Sequence, residues 1–272
     1  MKTGKVILAG AGPGDPELVT VKTANYLKVA DVVLTDRLVS KEILEQYVPD
    51  EAVIIYVGKQ CRRGPSTPQQ TINELMVMYA LERKLVVRLK GGDVSVFSNI
   101  LDELETLISN QIPYEIIPGI TAATGSAAYA GIPLTARGYA TGVRLLTYYK
   151  SDLLTDAYWK ELATSNDTLV FYMSAETMDG VVDNLVKHRI DPEKLLAVIE
   201  QATTPFQNVQ ITNLYNYKEK FKGKKLISPS LLIIGKVVSL HSRFKWVINN
   251  RTRKDYFEPL LQSMVEKGSI NV

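Results

Sequence analysis

The stretch KVILAGAGPGD at 5–15 restricts the fold more than any other part of the 272-residue chain. Its apolar run at 6–9 predicts a buried parallel strand that empties into glycines at 10, 12 and 14. A dinucleotide-binding turn requires G-x-G-x-x-G, with the third glycine opening a helix under a pyrophosphate. Here the spacing is G-x-G-x-G, with Pro13 inside it and Asp15 placing negative charge where phosphates would lie. The loop suits close backbone approach and is a poor phosphate cradle. A small ligand without a phosphate tail is the expectation.

From this strand onward, apolar runs alternate with helical patterns through the first half, which predicts a mostly parallel sheet covered by helices. Strands are expected over 5–9, 32–35, 53–57, 85–89 and 114–117, and helices near 21–28, 41–46, 68–83 and 100–109. Pro68 suits a first helical turn, with Thr67 before it as N-cap. After Pro118-Gly119 the segment 120–130 is rich in Ala, Gly, Ser and Thr, as in a helix that packs very closely. Strands then follow over 144–148, 168–172, 196–200, 209–214 and 231–234, with helices near 158–163, 178–188 and 215–221. Fewer crossover helices predict a mixed, partly antiparallel second sheet. The expected organisation is therefore α/β: a domain over 1–118 with a parallel sheet, a domain over 119–248 with a mixed sheet, and a polar tail over 249–272 that packs loosely.

Composition narrows the function classes. Hydrophobic residues at 46% and charged residues at 22% are ordinary for a globular enzyme, and a net charge of +3 is too small to mark a nucleic-acid binder. No run of about 18 apolar residues exists to span a membrane. The start enters a strand without an apolar signal segment, so a cytoplasmic protein is expected. Cys61 is the only cysteine, which excludes internal disulfides and cysteine-clustered metal sites; His188 and His241 are isolated and fit no ligand spacing.

Ligands of parallel sheets bind beyond the carboxyl ends of the strands. Five such ends carry loops of unusual composition: Gly10–Asp15, Asp36-Arg37, Gly58-Lys59, Lys90-Gly91-Gly92-Asp93 and Pro118-Gly119-Ile120-Thr121. Each alone is ordinary turn chemistry, and their joint occurrence along one edge is the signal. In order along the chain, KVILAGAGPGDPELVTVKT, VLTDRLVS, VGK, VVRLKGGD, PGITAATGSAAYAGIPLTARGYA and LVFYM resemble the tetrapyrrole methylases, and LLAVIEQATTPFQ and SPSLLIIGKVVSL are similar to later elements of that family. The resemblance runs from about Lys5 to Trp246 and is most specific in the long PGITAATGSAAYAGIPLTARGYA segment.

The resemblance implies two α/β domains with S-adenosyl-L-methionine held, strongly bent, in the cleft between them, and a homodimer. In the branch it resembles most, it implies transfer of methyl groups to C2 and C7 of uroporphyrinogen III. That gives precorrin-2, at the branch point toward siroheme and cobalamin, and leaves S-adenosyl-L-homocysteine, with no metal. By position in DRLVS, Asp36 corresponds to the family's proposed base, and Lys59 in VGK to its proposed acid. Pro13, Gly91, Gly92, Asp93, Val96, Thr121, Ala122 and Met173 fall on cofactor-contact positions. Ala202 stands where the family often has glycine, so a contact there would run through backbone. The substrate carries eight carboxylates, so facing guanidinium groups are expected, with Arg37, Arg62, Arg63, Arg137 and Arg144 as candidates and Arg37 first because it adjoins Asp36. A chain of this length is expected to lack the dehydrogenase and chelatase activities of fused siroheme synthases.

Two departures bear on substrate choice. After Gly-Gly-Asp the family continues with proline and then a phenylalanine–glycine–arginine–glycine element, where this chain has Val94-Ser95-Val96-Phe97-Ser98-Asn99-Ile100. A tyrosine–methionine–glycine element becomes Tyr172-Met173-Ser174. The alternatives are a methyltransferase acting on a later precorrin, a nicotinamide-dependent dehydrogenase, and a binder without turnover.

Overall fold

In the first half, strict alternation of inward and outward residues on short apolar strands determines what each strand presents to the helices around it. The computed structural model describes residues 3–58, 67–149, 154–221, 223–250, 252 and 254–257. The chain divides into two units, Met1–Ala122 with Phe257–Val272, and Ala123–Tyr256. Among the described residues, no helix is long and apolar enough to cross a membrane.

The first unit carries β1 (Lys5–Gly10), α1 (Val21–Leu27), β2 (Val32–Thr35), α2 (Lys41–Tyr47), β3 (Val53–Tyr56), α3 (Gln69–Leu81), β4 (Leu85–Lys90), α4 (Leu101–Ser109) and β5 (Tyr114–Ile117). Its sheet has the order β3-β2-β4-β1-β5, every pair parallel. Ile7, Ala9, Val33, Val87 and Leu89 pack on one face with Ala24 and Leu27 of α1 and Ile43 and Leu44 of α2. Val6, Leu8, Val32, Leu34 and Val86 pack on the other with Ile72, Leu75 and Met76 of α3 and Leu107 of α4. Continuing that second parity puts Asp36, Arg88 and Lys90 on the α3–α4 side, and the register Leu34↔Arg88 sets Asp36 level with Lys90.

One sequence expectation fails at α3. Pro68 keeps an extended ψ of 144° at the N-cap and the helix starts at Gln69. Thr67 gives no cap: Pro68 takes the N-cap position, and the buried Thr67 hydroxyl has no hydrogen-bond partner among the described residues.

Near the edge of this sheet, Glu115 accepts hydrogen bonds from Lys22, from Lys5 at 2.7 Å and from the Tyr26 hydroxyl at 2.7 Å. These partners, Lys22 first, hold its carboxyl below the usual 4.5, at about 2. A depressed folded-state value contributes stability that is present above the unfolded value and lost as pH falls toward the folded one. The melting temperature is therefore expected to fall less steeply in Glu115→Gln than in the parent between pH 4.5 and about 2. Parallel melting curves across that window would remove this role.

The second unit contains α5 (Ala122–Ala130, all but its first residue), β6 (Val143–Thr147), α6 (Asp156–Thr164), β7 (Thr168–Tyr172), α7 (Met178–Lys187), β8 (Leu195–Glu200), β9 (Asn208–Asn213), α8 (Tyr217–Phe221), β10 (Ser230–Gly235) and α9 (His241–Phe244). Its sheet runs β6-β7-β10-β8-β9; β6 and β7 are parallel and the other pairs antiparallel. Trp159, Leu162, Phe171, Val181, Leu185, Leu196, Val198, Leu232 and Ile234 form its core. Trp159 stacks on Phe171 at 6.4 Å and meets the edge of Tyr148 at 5.2 Å.

The start of the tail does not pack loosely, contrary to expectation. Asn249 accepts from the Val209 N–H at 2.9 Å and donates to its carbonyl at 2.8 Å, and the Asn250 N–H reaches the Gln207 carbonyl at 2.9 Å. These residues occupy β9's unpaired edge groups, which a polar composition alone does not reveal.

Candidate active site

Because all five strands of the first sheet are parallel, the loops after β1, β2, β4 and β5 leave the same edge, and glycine lets them meet backbone to backbone. A Cβ on Gly10 would lie 2.6 Å from the Gly92 carbonyl oxygen, and one on Gly119 only 2.3 Å from it. A Cβ on Gly91 would lie 2.8 Å from the Leu38 Cβ. Gly12 and Gly92 exchange two backbone hydrogen bonds, at 3.1 and 2.7 Å. The steric demand at 10, 91 and 119 is thus internal to the protein rather than set by a ligand. Gly92 differs: its φ is 73° and a Cβ there would meet nothing nearer than the Ala122 nitrogen at 3.9 Å. Asp15, which argued against phosphate, caps the short 3-10 turn Pro16–Leu18 by accepting from the Glu17 N–H at 2.9 Å.

Asp93 ties this edge together. Oδ1 accepts from the Ser95 N–H at 2.8 Å and from the Ser95 hydroxyl, and Oδ2 accepts from the Gly119 N–H at 2.8 Å. Burial pushes its carboxyl up, and these three hydrogen bonds more than reverse the push, so it titrates below the ordinary range. The loop that departs from the family pattern follows directly. Its Phe97 and Asn99 hold left-handed φ angles of 53° and 54°, and Phe97 is exposed. Left-handed backbone is costly for a bulky side chain, and such strain concentrates at functional loops.

Asp36 follows β2 with its side chain 25% exposed. Its Oδ1 accepts from Nη2 of buried Arg88 at 2.6 Å, and Oδ2 has no hydrogen-bond partner among the described residues. Arg88 Nε reaches Glu103 Oε1 at 3.0 Å, Nη1 donates to the Leu34 and Leu89 carbonyls, and Lys90 Nζ reaches Glu103 Oε2 at 2.8 Å. Burial opposes charge on Arg88, but Asp36 and Glu103 overrule it and hold the guanidinium above its usual value. Burial first, and then the Arg88 charge, lowers Lys90. Sequence reasoning missed Arg88 and Glu103. Two cations two residues apart on a buried strand must share a face and require a buried acid, and that was the available signal.

In the second unit, β7 and β8 point the same way on either side of β10, with Tyr172 opposite Leu231 and Glu200 opposite Ser230. The loops after them, holding Met173 and Ala202, therefore leave one edge. Met173 has φ 53°, is 51% exposed, and its Sδ accepts from the Tyr149 hydroxyl at 3.2 Å. Ala202 is buried between Gln201 and Thr203, which have φ 47° and 64°. The Thr203 N–H donates to Gln207 Oε1 at 2.9 Å, and the Gln201 N–H to the Pro229 carbonyl at 2.8 Å. The Tyr172 hydroxyl accepts from the Ala123 N–H at 3.0 Å, which fixes the first turn of α5 directly after Thr121 and Ala122.

The first unit thus gathers Pro13, Asp36, Arg37, Gly91, Gly92, Asp93, Val96, Thr121 and Ala122 on the loops of one sheet edge, and the second places Met173 and Ala202 on another. Lys59, Arg62 and Arg63, and with them Cys61, lie outside the described residues. Arg137 is exposed in the loop before β6. Arg144 is engaged by this chain's own acids, Asp167 at 2.7 Å and Glu161 at 2.6 Å, which leaves it poorly suited to bind a substrate carboxylate. His188 and His241 bond backbone carbonyls of Asn184 and Ala130.

Residues 5–217 match the family of Tetrapyrrole (Corrin/Porphyrin) Methylases. The chain belongs to that family. It is 34% identical to uroporphyrin-III-C-methyltransferase of Thermus thermophilus, whose structure superposes with a TM-score of 0.74 over 91% of this chain and 99% of that one. A structure of the Thermus enzyme complexed with S-adenyl homocysteine matches at 33% identity and TM-score 0.71, covering 86% of this chain and 93% of that one. The chain is also 44% identical over 244 residues to siroheme synthase of Acinetobacter baylyi, covering 90% of this chain and 53% of that protein. It spans about half the length of the siroheme synthases it matches.

Proposed function

We propose that this protein transfers methyl groups from S-adenosyl-L-methionine to C2 and C7 of uroporphyrinogen III, giving precorrin-2, and that it does so as a cytoplasmic homodimer. The observation that carries the reading is the likeness to the Thermus enzyme across 99% of that chain at 34% identity. The open space beside the Gly92 α-carbon, next to a rigid loop tied by Asp93, suits close approach of a ligand without phosphates. The cofactor, when bound, supplies a methyl group made electrophilic by its sulfonium. The chain's own residues then have three tasks. Asp36 takes a proton from the macrocycle as the cationic methylated adduct collapses, which balances the methyl gained; Lys59 donates a proton at one ring position only as another position releases one; and Arg37, Arg62, Arg63 and Arg137 hold substrate carboxylates. Pro13, Gly91, Gly92, Asp93, Val96, Thr121, Ala122, Met173 and Ala202 line the cofactor.

Anaerobic incubation with S-adenosyl-L-methionine and enzymatically made uroporphyrinogen III, read by mass spectrometry, is expected to add two methyl groups. No gain over a control without enzyme sinks the proposal. Addition to precorrin-2 alone would move the activity to a later precorrin. Titration with S-adenosyl-L-homocysteine is expected to show binding and titration with NADH none; the reverse would favour a dehydrogenase.

A further inference from the structure

Asp36, Arg88, Glu103 and Lys90 form one continuous chain of charges that joins β2, β4 and α4, with only Asp36 reaching solvent. The side chains of Arg88 and Lys90 are 4% exposed and that of Glu103 is 0% exposed. Clusters of this kind are rarely kept for stability, because well-packed apolar residues serve a core as well or better. The flanking α3–α4 face is otherwise such an apolar core. What the cluster does accomplish is local. A planar guanidinium, fixed by Glu103 and by two strand carbonyls, offers its remaining Nη2 to a single carboxylate oxygen at the sheet edge.

We propose that Arg88, clamped by Glu103, is a positioning residue for Asp36: by holding Oδ1 it fixes which carboxylate oxygen faces substrate. This rests on the reading of Asp36 as the base. The charged groups that the structure couples to Asp36 are Arg88 and Lys90 on β4 and, through Arg88, Glu103 on α4. Arg37 is its chain neighbour, and Lys59 lies outside the described residues.

The test compares Arg88→Met, Glu103→Gln, Asp36→Asn and the Asp36→Asn/Arg88→Met double variant, with melting temperature and S-adenosyl-L-homocysteine affinity as controls. Arg88→Met removes the donor that orients Asp36, so kcat is expected to fall while the KM for uroporphyrinogen III changes less than about twofold. Glu103→Gln weakens the clamp on Arg88 Nε and is expected to lower kcat in the same direction, by less than Arg88→Met does. Arg88→Met should lower kcat about tenfold in the parent and less than about twofold in the Asp36→Asn background, because residues acting through one another are non-additive. A purely structural role would lower the melting temperature and cut the rate equally in both backgrounds. Equal rate losses in both backgrounds overturn the inference while leaving Asp36 as base. Full activity in Asp36→Asn overturns the base assignment itself. If Arg88→Met does not fold, the near-isosteric Glu103→Gln decides alone, made in the parent and in Asp36→Asn: a rate loss confined to the parent supports the inference, and equal losses overturn it.

Discussion

Asp36→Asn is expected to slow methyl transfer by about two to four orders of magnitude while changing S-adenosyl-L-homocysteine affinity by less than about threefold. The loss corresponds to roughly 3–5 kcal/mol of transition-state stabilisation. The substitution is narrow in its effect. Asparagine keeps the shape of the side chain and an amide oxygen that can still accept from Arg88 Nη2, now 2.6 Å from Oδ1. It removes the capacity to take a proton, together with the charge that pairs with Arg88. Asp36 lies on the loop after β2, whereas the cofactor positions Gly91, Gly92 and Asp93 lie on the loop after β4, so cofactor binding has no reason to follow the acid. Single-turnover methyl transfer and calorimetric titration separate the two quantities. A collapse of cofactor affinity with the rate would show that Asp36 holds the cofactor and that the division of roles is wrong.

The sheet edge was legible because two independent periodicities agree on it. Strand-like apolar runs alternating with helical patterns require parallel pairing, and parallel pairing sends every strand's following loop to one side. Glycine, Asp and Lys clusters at those ends then mark it. The Arg88–Glu103 chain was not legible in the same way, because Arg88 sits inside an apolar run and reads there as an interruption. Its signal lay in two spacings: Arg88 and Lys90 share a strand face, and Glu103 shares the buried face of α4 with Leu107 four residues later. The purpose of the glycines was only half legible. Composition shows that backbone approaches closely, but not whether the neighbour is a ligand or another loop, since the contacts of Gly10 with Gly119 and of Asp93 with Gly119 are long-range. Thr67 failed as a cap for a local reason: the helix starts at Gln69, with Pro68 in the N-cap position.

Gly119→Ala and Gly92→Ala are expected to fail differently, and the contrast separates the structural use of glycine from its proposed ligand-facing use. At 119 the added Cβ would lie 2.3 Å from the Gly92 carbonyl oxygen and 2.9 Å from the Gly10 α-carbon, both backbone atoms that no rotamer change can move. Neither loop can retreat cheaply. Gly92 is paired with Gly12 through two hydrogen bonds, and the Gly119 N–H is bonded to Asp93. Overpacking of this kind costs about 3 kcal/mol or more, roughly a 6–12 °C fall in melting temperature for a chain of this size. At 92 the added Cβ meets nothing nearer than 3.9 Å, so the protein resists it only through the left-handed φ of 73°. That strain is worth about 1–2 kcal/mol. The methyl group would occupy the open space where the cofactor is proposed to approach, so S-adenosyl-L-homocysteine affinity is expected to fall at least about tenfold, the equivalent of 1.4 kcal/mol. Thermal melting and calorimetric titration of both variants are decisive together. If Gly92→Ala binds the cofactor product as the parent does, the space beside Gly92 is not the cofactor's, and the ligand-facing reading of that glycine is lost while the structural reading of Gly119 stands.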